Sequence, residues 1–183
     1  MHPKLTEVLH DDFFHYDVLA PRLSGLDACF FCLGGSSAGM KEAEYTRLTY
    51  DLTLAAARAL LERNPDLVFC YVSGLGTDGT ETGRVMWARV KGRTENALLA
   101  MPFRAAYMFR PGFIQPLRGV RSRTRLYAAL YRAAGPFFPL IKRLFPRQVT
   151  TSVRLGRAMI RVAAEGWASP ILESHVIDEL GAS

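Results

Sequence analysis

No stretch of eighteen consecutive apolar residues occurs in this chain, so nothing in it reads as a membrane-spanning helix. The opening residues, MHPKLTEVLHDDFF, lack the basic region and apolar run of a secretory signal. Cysteine is scarce, with Cys29, Cys32 and Cys70 the three in the chain. Cys29 and Cys32 form a C-x-x-C inside the strand-like run ACFFCLG. Residues three apart on a strand point to opposite faces, so that spacing serves neither a disulfide nor a metal. No second C-x-x-C or histidine pair supports zinc, and His10, His15 and His175 fit no metal spacing. All three cysteines are expected to be buried apolar residues in a reducing, cytoplasmic compartment. Ser73 does not sit in a G-x-S-x-G elbow, so it carries no hydrolase signature. It has no internal repeat, no low-complexity segment and no linker, and residues 1–183 read as one domain.

What is there is ordinary globular material. Hydrophobic residues make up 49% of the 183 and charged residues 22%, enough apolar side chain for a substantial core. The net charge is +6, and most of the excess comes from arginines between Arg104 and Arg161. Such a balance suits an anionic ligand, an acidic membrane surface or nucleic acid. The simplest reading is a solvated basic face, and no nucleic-acid motif accompanies the charge.

The pattern along the chain alternates strands and helices. Residues 5–9 (LTEVL) predict a short strand followed by His10-Asp11-Asp12, and residues 16–24 a short helix ending at Gly25. The continuous apolar run 27–33 (DACFFCL) predicts a strand inside a parallel sheet, with Gly34-Gly35-Ser36-Ser37 as the turn after it. A helix over about 40–62 follows from the spacing of Leu48, Leu52, Ala55, Ala56 and Leu60, stopped by Asn64-Pro65-Asp66. Then come a strand at 67–72, a helix at about 83–99, and a strand at 104–110. A helix at 150–165 capped by Thr150 or Thr151, a strand at 170–173 and a short tail at 175–180 complete the pattern. Strands and helices in this order and of these lengths imply βαβ units. The fold class is therefore α/β, a Rossmann-like, mostly parallel sheet flanked by helices.

The stretch 67–96, LVFCYVSGLGTDGTETGRVMWARVKGRTEN, carries the candidate chemistry. Its strand ends in Ser73-Gly74, and on the next helix Trp87 and Lys91 lie one turn apart on one face. The order of features resembles an atypical, extended short-chain dehydrogenase/reductase, the group that includes NAD-dependent epimerase/dehydratases. The resemblance rests on Asp11-Asp12, Leu33-Gly34-Gly35, Tyr71-Val72-Ser73, Lys91 and Arg110-Pro111-Gly112, each following its strand in turn. It implies an NAD or NADP cofactor with Asp11 or Asp12 near the adenine, and the backbone of Leu33 and Gly34 against the cofactor. It also implies Arg110-Pro111-Gly112 passing the nicotinamide, and Ser73 and Lys91 as catalytic-site residues with Lys91 also touching the cofactor. By the same resemblance, residues about 113–149 form a helical substrate lobe.

Two departures qualify what the resemblance implies. The family opens with a strand, a G-x-x-G-x-x-G turn and a helix that holds the pyrophosphate, and this chain contains no such motif. Relative to the family the chain is expected to be N-terminally truncated, by roughly 50–60 residues of fold. The strand at 27–33 then has an open apolar edge, closed by segment 5–9 or by self-association with another chain. The second departure is Trp87, which stands where the family has its acid/base tyrosine. An indole N–H donates a hydrogen bond and does not ionise usefully. Asp78, Glu81, Tyr50 and Tyr107 could replace the tyrosine by type. The sequence thus predicts an NAD(P)-binding, epimerase-like protein with weak or absent oxidoreductase activity, acting on an unknown small molecule. The alternative is a non-catalytic scaffold or regulatory interaction protein. The segment RSRTRLYAALYRAAGPFFPLIKRLFPR reads as a helix pair on the sheet, as a lid, or as an interfacial helix on acidic lipid.

Overall fold

The computed structural model describes residues 2–115, 117 and 148–182. Its centre is a parallel sheet of four strands: β1 (Ala28–Phe31), β2 (Val68–Val72), β3 (Ala105–Arg110) and β6 (Ile171–Glu173), side by side in that order. The pairing is in step: Phe31 faces Tyr71 and Tyr71 faces Met108, while Arg110 faces Glu173. All four strands therefore end on the same edge of the sheet.

Helices cover both faces, as the unbroken apolar strands require. Alternation along β2 and β3 sends Phe69, Tyr71 and Met108 to one side and Val68, Cys70, Tyr107 and Phe109 to the other. The first side packs against α1 (Glu42–Thr46), a π-helical turn (Arg47–Asp51), α2 (Leu52–Leu61) and α3 (Met86–Leu99). Leu52, Ala56 and Leu60 recur at helical spacing there and meet Leu98 over Phe69. The second side packs against α4 (Ser152–Glu165) and α5 (Ser174–Leu180) through Leu155, Ala158, Met159, Val162 and Ile177. Each fully buried side chain of this kind contributes about 1.5–3 kcal/mol. The α/β architecture expected from the sequence is the one observed.

Local chemistry fixes the ends. Asn64 is buried and closes α2: its amide donates to the carbonyls of Leu60 (2.8 Å) and Leu23 (2.7 Å), and its Oδ1 accepts from Leu26 N–H (2.8 Å). Pro65 then prevents continuation. The N-cap of α4 is Thr151, whose hydroxyl accepts from Arg154 N–H. The tail 175–180 is helical, held through Asp178, which pairs with Arg154 and accepts from Thr150.

Several expectations are corrected. Residues 5–9 form no strand and pair with none of the described strands; Leu5 and Leu9 are exposed. It therefore does not close β1, which has a single strand neighbour among the described residues and leaves Phe30 42% exposed. The helix at 16–24 is a short 3-10 segment, Asp17–Arg22. β1 stops at Phe31, so Cys32 lies beyond it and is exposed, Cys29 is half-buried, and Cys70 alone is buried as expected. The helix expected from 83 starts at Met86, because residues 78–83 are tied into a loop of their own. A short parallel pair absent from the expectation, β4 (Phe113–Gln115) with β5 (Val149–Thr151), brackets the expected lobe. The lobe itself, with its lid and lipid readings, falls mostly outside the described residues.

Candidate functional site

Where β2 and β3 leave the sheet, two backbone bonds hold their exits together. Ser73 N–H donates to Phe109 O (2.8 Å) and Leu75 N–H to Pro111 O (3.0 Å). Above this seam lies an open cleft of about 480 Å³, lined by Val72 to Leu75, Trp87, Pro111 to Ile114, Gln148 and Val149. Its place at the carboxyl ends of parallel strands is where open α/β sheets bind ligands. Four of the residues singled out from the sequence meet here: Ser73, Trp87, Pro111 and Gly112.

Each is positioned by something specific. Trp87 sits in the first turn of α3, and Gly76, at φ +84°, curves the loop beneath it. A side chain at Gly76 would contact the indole. Gly112 has no room for a Cβ, because the backbone carbonyl of Gln148 occupies that space. Its lack of a side chain thus seats β5 beside β4. Ser73 is 8% exposed, and its hydroxyl lies 2.9 Å from the Thr77 hydroxyl. Thr77 in turn donates to Gly74 O at 2.7 Å.

Lys91 does not line the cleft but lies behind it. Its Nζ donates to Ser73 O (3.2 Å) and sits 5.4 Å from the centre of the Tyr71 ring. Burial penalises the ammonium and lowers its pKa to about 8, while Glu95 opposes the shift. Arg110 also turns inward. Its guanidinium makes a two-pronged pair with Glu95 (Nε–Oε1 3.0 Å, Nη2–Oε2 2.5 Å) and touches Glu173 at 3.4 Å. Glu95 is 1% exposed. This pair raises the Arg110 pKa and ties α3 to β3 and β6.

The other expected positions do not join the cleft. Asp12 serves its own turn, accepting from Phe14 N–H (3.0 Å) with His15 Nδ1 at 2.7 Å; these bonds hold its carboxyl below the usual range. Asp11 is exposed beside it. Leu33 and Gly34 follow β1 at the same sheet edge, but both are exposed, and a Cβ on Gly34 would meet open space. None of the four candidate replacements for tyrosine reaches Ser73. Asp78 accepts from Thr80 and Gly83, and Glu81 from Asn96. Tyr50 lies under Arg93, and the Tyr107 hydroxyl accepts from Trp167 N–H at 3.0 Å.

Sequence reasoning missed Thr77, Glu95 and Gly92. Thr77 had no motif to mark it. Glu95, one turn beyond Lys91 on an apolar helix face, was visible as a carboxylate where only a paired one survives burial. Gly92 in mid-helix was a signal of close approach: a Cβ there would overlap the Asp78 carbonyl. Among the described residues, no group of acidic, histidine and cysteine side chains stands together that could hold a metal, and no helix is long and apolar enough to cross a membrane. No protein-family model matches this chain, and no curated protein matches its sequence.

Proposed function

We propose that this chain is a dinucleotide-binding, epimerase/dehydratase-like protein of the short-chain dehydrogenase/reductase type, with weak or absent oxidoreductase activity. The observation that carries this reading is the meeting of Ser73, Trp87 and Pro111-Gly112 in one cleft, at the carboxyl ends of consecutive parallel strands. The order of strands and the place of the cleft fit the second half of a nicotinamide-binding sheet. The fit to the cofactor is partial. The indole of Trp87, with Val72, Phe113 and Ile114, suits a flat ring. At the exit of β1, Gly34 and Gly35 are exposed and approached by nothing, so they form no cradle for a pyrophosphate. Among the described residues no ionisable phenol or carboxyl lines the cleft beside Ser73, so none of them supplies a proton relay.

Titration with NAD(H) and NADP(H), read by calorimetry, tests the proposal. Saturable binding in the millimolar range, about −4 kcal/mol, is the expected outcome. Micromolar affinity would restore a full enzyme reading. No binding of either cofactor would favour the scaffold reading, which the commitment of Arg110 to Glu95 also supports.

A further inference from the structure

Two parts of the fold supply the rings and aliphatic side chains of the cleft, and each part is held in place. Trp87 stands in the first turn of α3. That helix is fixed by Gly92, which lets the Asp78 carbonyl lie against it, and by Glu95, which pairs with Arg110. Phe113 and Ile114 belong to β4, seated by its pairing with β5. Pro111 just before them is tied back to the other side, since its carbonyl accepts from Leu75 N–H. Polar side chains are few. In the described lining they are Ser73 and Gln148, and the Ser73 hydroxyl is already in contact with Thr77.

We propose that this cleft takes the planar aromatic ring of a small molecule poor in hydroxyls, and that Trp87 is the residue that selects such a ring over a saturated one. A flat ring laid against an indole gains more than its buried area alone provides. A saturated ring of the same size buries similar area but brings no π-face to the contact. A ring bearing several hydroxyls fits worse still, because each buried hydroxyl needs a partner and the described lining supplies few. The surrounding elements are preorganised, so little is lost in shaping them around the ligand. The proposal rests on the reading of the cleft as a ligand site, and it concerns the small molecule rather than the dinucleotide.

The test uses the full chain without cofactor. The probes are phenylacetamide and cyclohexylacetamide, which share an amide arm and differ in the ring, with methyl glucopyranoside as the hydroxylated ring. Dissociation constants come from ligand-observed NMR. Trp87 and Trp167 are the two tryptophans of the chain, so in a Trp167→Phe background the one indole N–H resonance reports on the cleft. Phenylacetamide is expected to bind about three- to tenfold tighter than cyclohexylacetamide, to outbind the glucoside by at least as much, and to shift that resonance. Trp87→Leu should reduce the preference between the two amides below about twofold, and Trp87→Phe, which restores a ring, should keep it above that. Circular dichroism confirms that the variants are folded; should Trp87→Leu unfold, Trp87→Met takes its place. Equal or tighter binding of cyclohexylacetamide or of the glucoside overturns the proposal. So does a preference that survives loss of the indole, an indole resonance that does not move, or the absence of binding by any probe. The dinucleotide titration is read separately, so failure here leaves the cofactor reading standing or falling on its own result.

Discussion

Ser73 and Arg110 end neighbouring strands and face the same edge of the sheet, yet they serve opposite ends. At the exit of β2, Ser73 lines the cleft together with Trp87. At the exit of β3 the guanidinium of Arg110 folds back beneath the sheet edge onto Glu95 and Glu173. One strand end opens on the cleft and the other is consumed by the scaffold. Which fate a polar residue meets depends on whether a buried partner of opposite charge lies within reach. For Arg110 that partner is Glu95, a carboxylate buried to 1% exposure and paired with the guanidinium.

Breaking the scaffold half should have the largest effect. Arg110→Ala leaves Glu95 buried without its cation, a change that costs about 3–5 kcal/mol. Urea unfolding should show a midpoint shift of that size, and Arg110→Met with Glu95→Gln together should recover part of it. A loss below about 1 kcal/mol would mean that the pair is solvated and that Arg110 is free to serve a ligand.

The contact between α3 and the loop before it is the next target. Gly92 exists to let the Asp78 carbonyl lie against the helix, where Asp78 N–H also donates to Ala88 O (3.1 Å). In an exposed helix, Gly→Ala stabilises by about 1 kcal/mol. Here the added methyl forces the loop away, and Gly92→Ala should destabilise by roughly 1–3 kcal/mol. Thermal unfolding checks the sign. Stabilisation would show that the loop yields freely and does not define the cleft wall.

These two sites also show what could be read beforehand. The strands at 67–72 and 104–110 and the helix ending near Leu99 were legible because continuous apolar runs and 3.6-residue spacing have few other solutions. That Ser73 and Trp87 share one cleft was legible because the helix carrying Trp87 follows directly on the exit of the strand that ends before Ser73. The direction of Lys91 and Arg110 was not, since sequence order says nothing of where a long side chain finds its partner. The strand expected at 5–9 failed for a related reason: five residues with suitable propensity become a strand only beside another one. The π-helical turn at Arg47–Asp51 had no local marker, and neither did the pairing of β4 with β5, whose register depends on a glycine without a side chain at 112.

Lys91 belongs to neither half, and its titration decides which one it serves. Its pKa falls from 10.5 to about 8 because burial penalises the charge. Below pH 8 the amine is protonated in the folded and unfolded chain alike, and the folded state bears the whole penalty. Between about pH 8 and 10.5 the unfolded chain holds the proton more tightly than the folded one, so this group makes stability rise with pH across that window. Discounted for partial exposure, the rise amounts to about 1–2 kcal/mol. Cys29 and Cys70, pushed up to about 12 by burial, pull the other way above pH 9. They do so equally in a Lys91→Met variant, so the difference between the two proteins isolates the lysine. That difference, measured by urea unfolding from pH 7 to 10.5, should move upward in favour of the unmodified chain. A flat difference would place the ammonium in water, away from Ser73 O and the Tyr71 ring. Lys91 would then count with the open side of the cleft, and the division drawn between Ser73 and Arg110 would no longer run behind it.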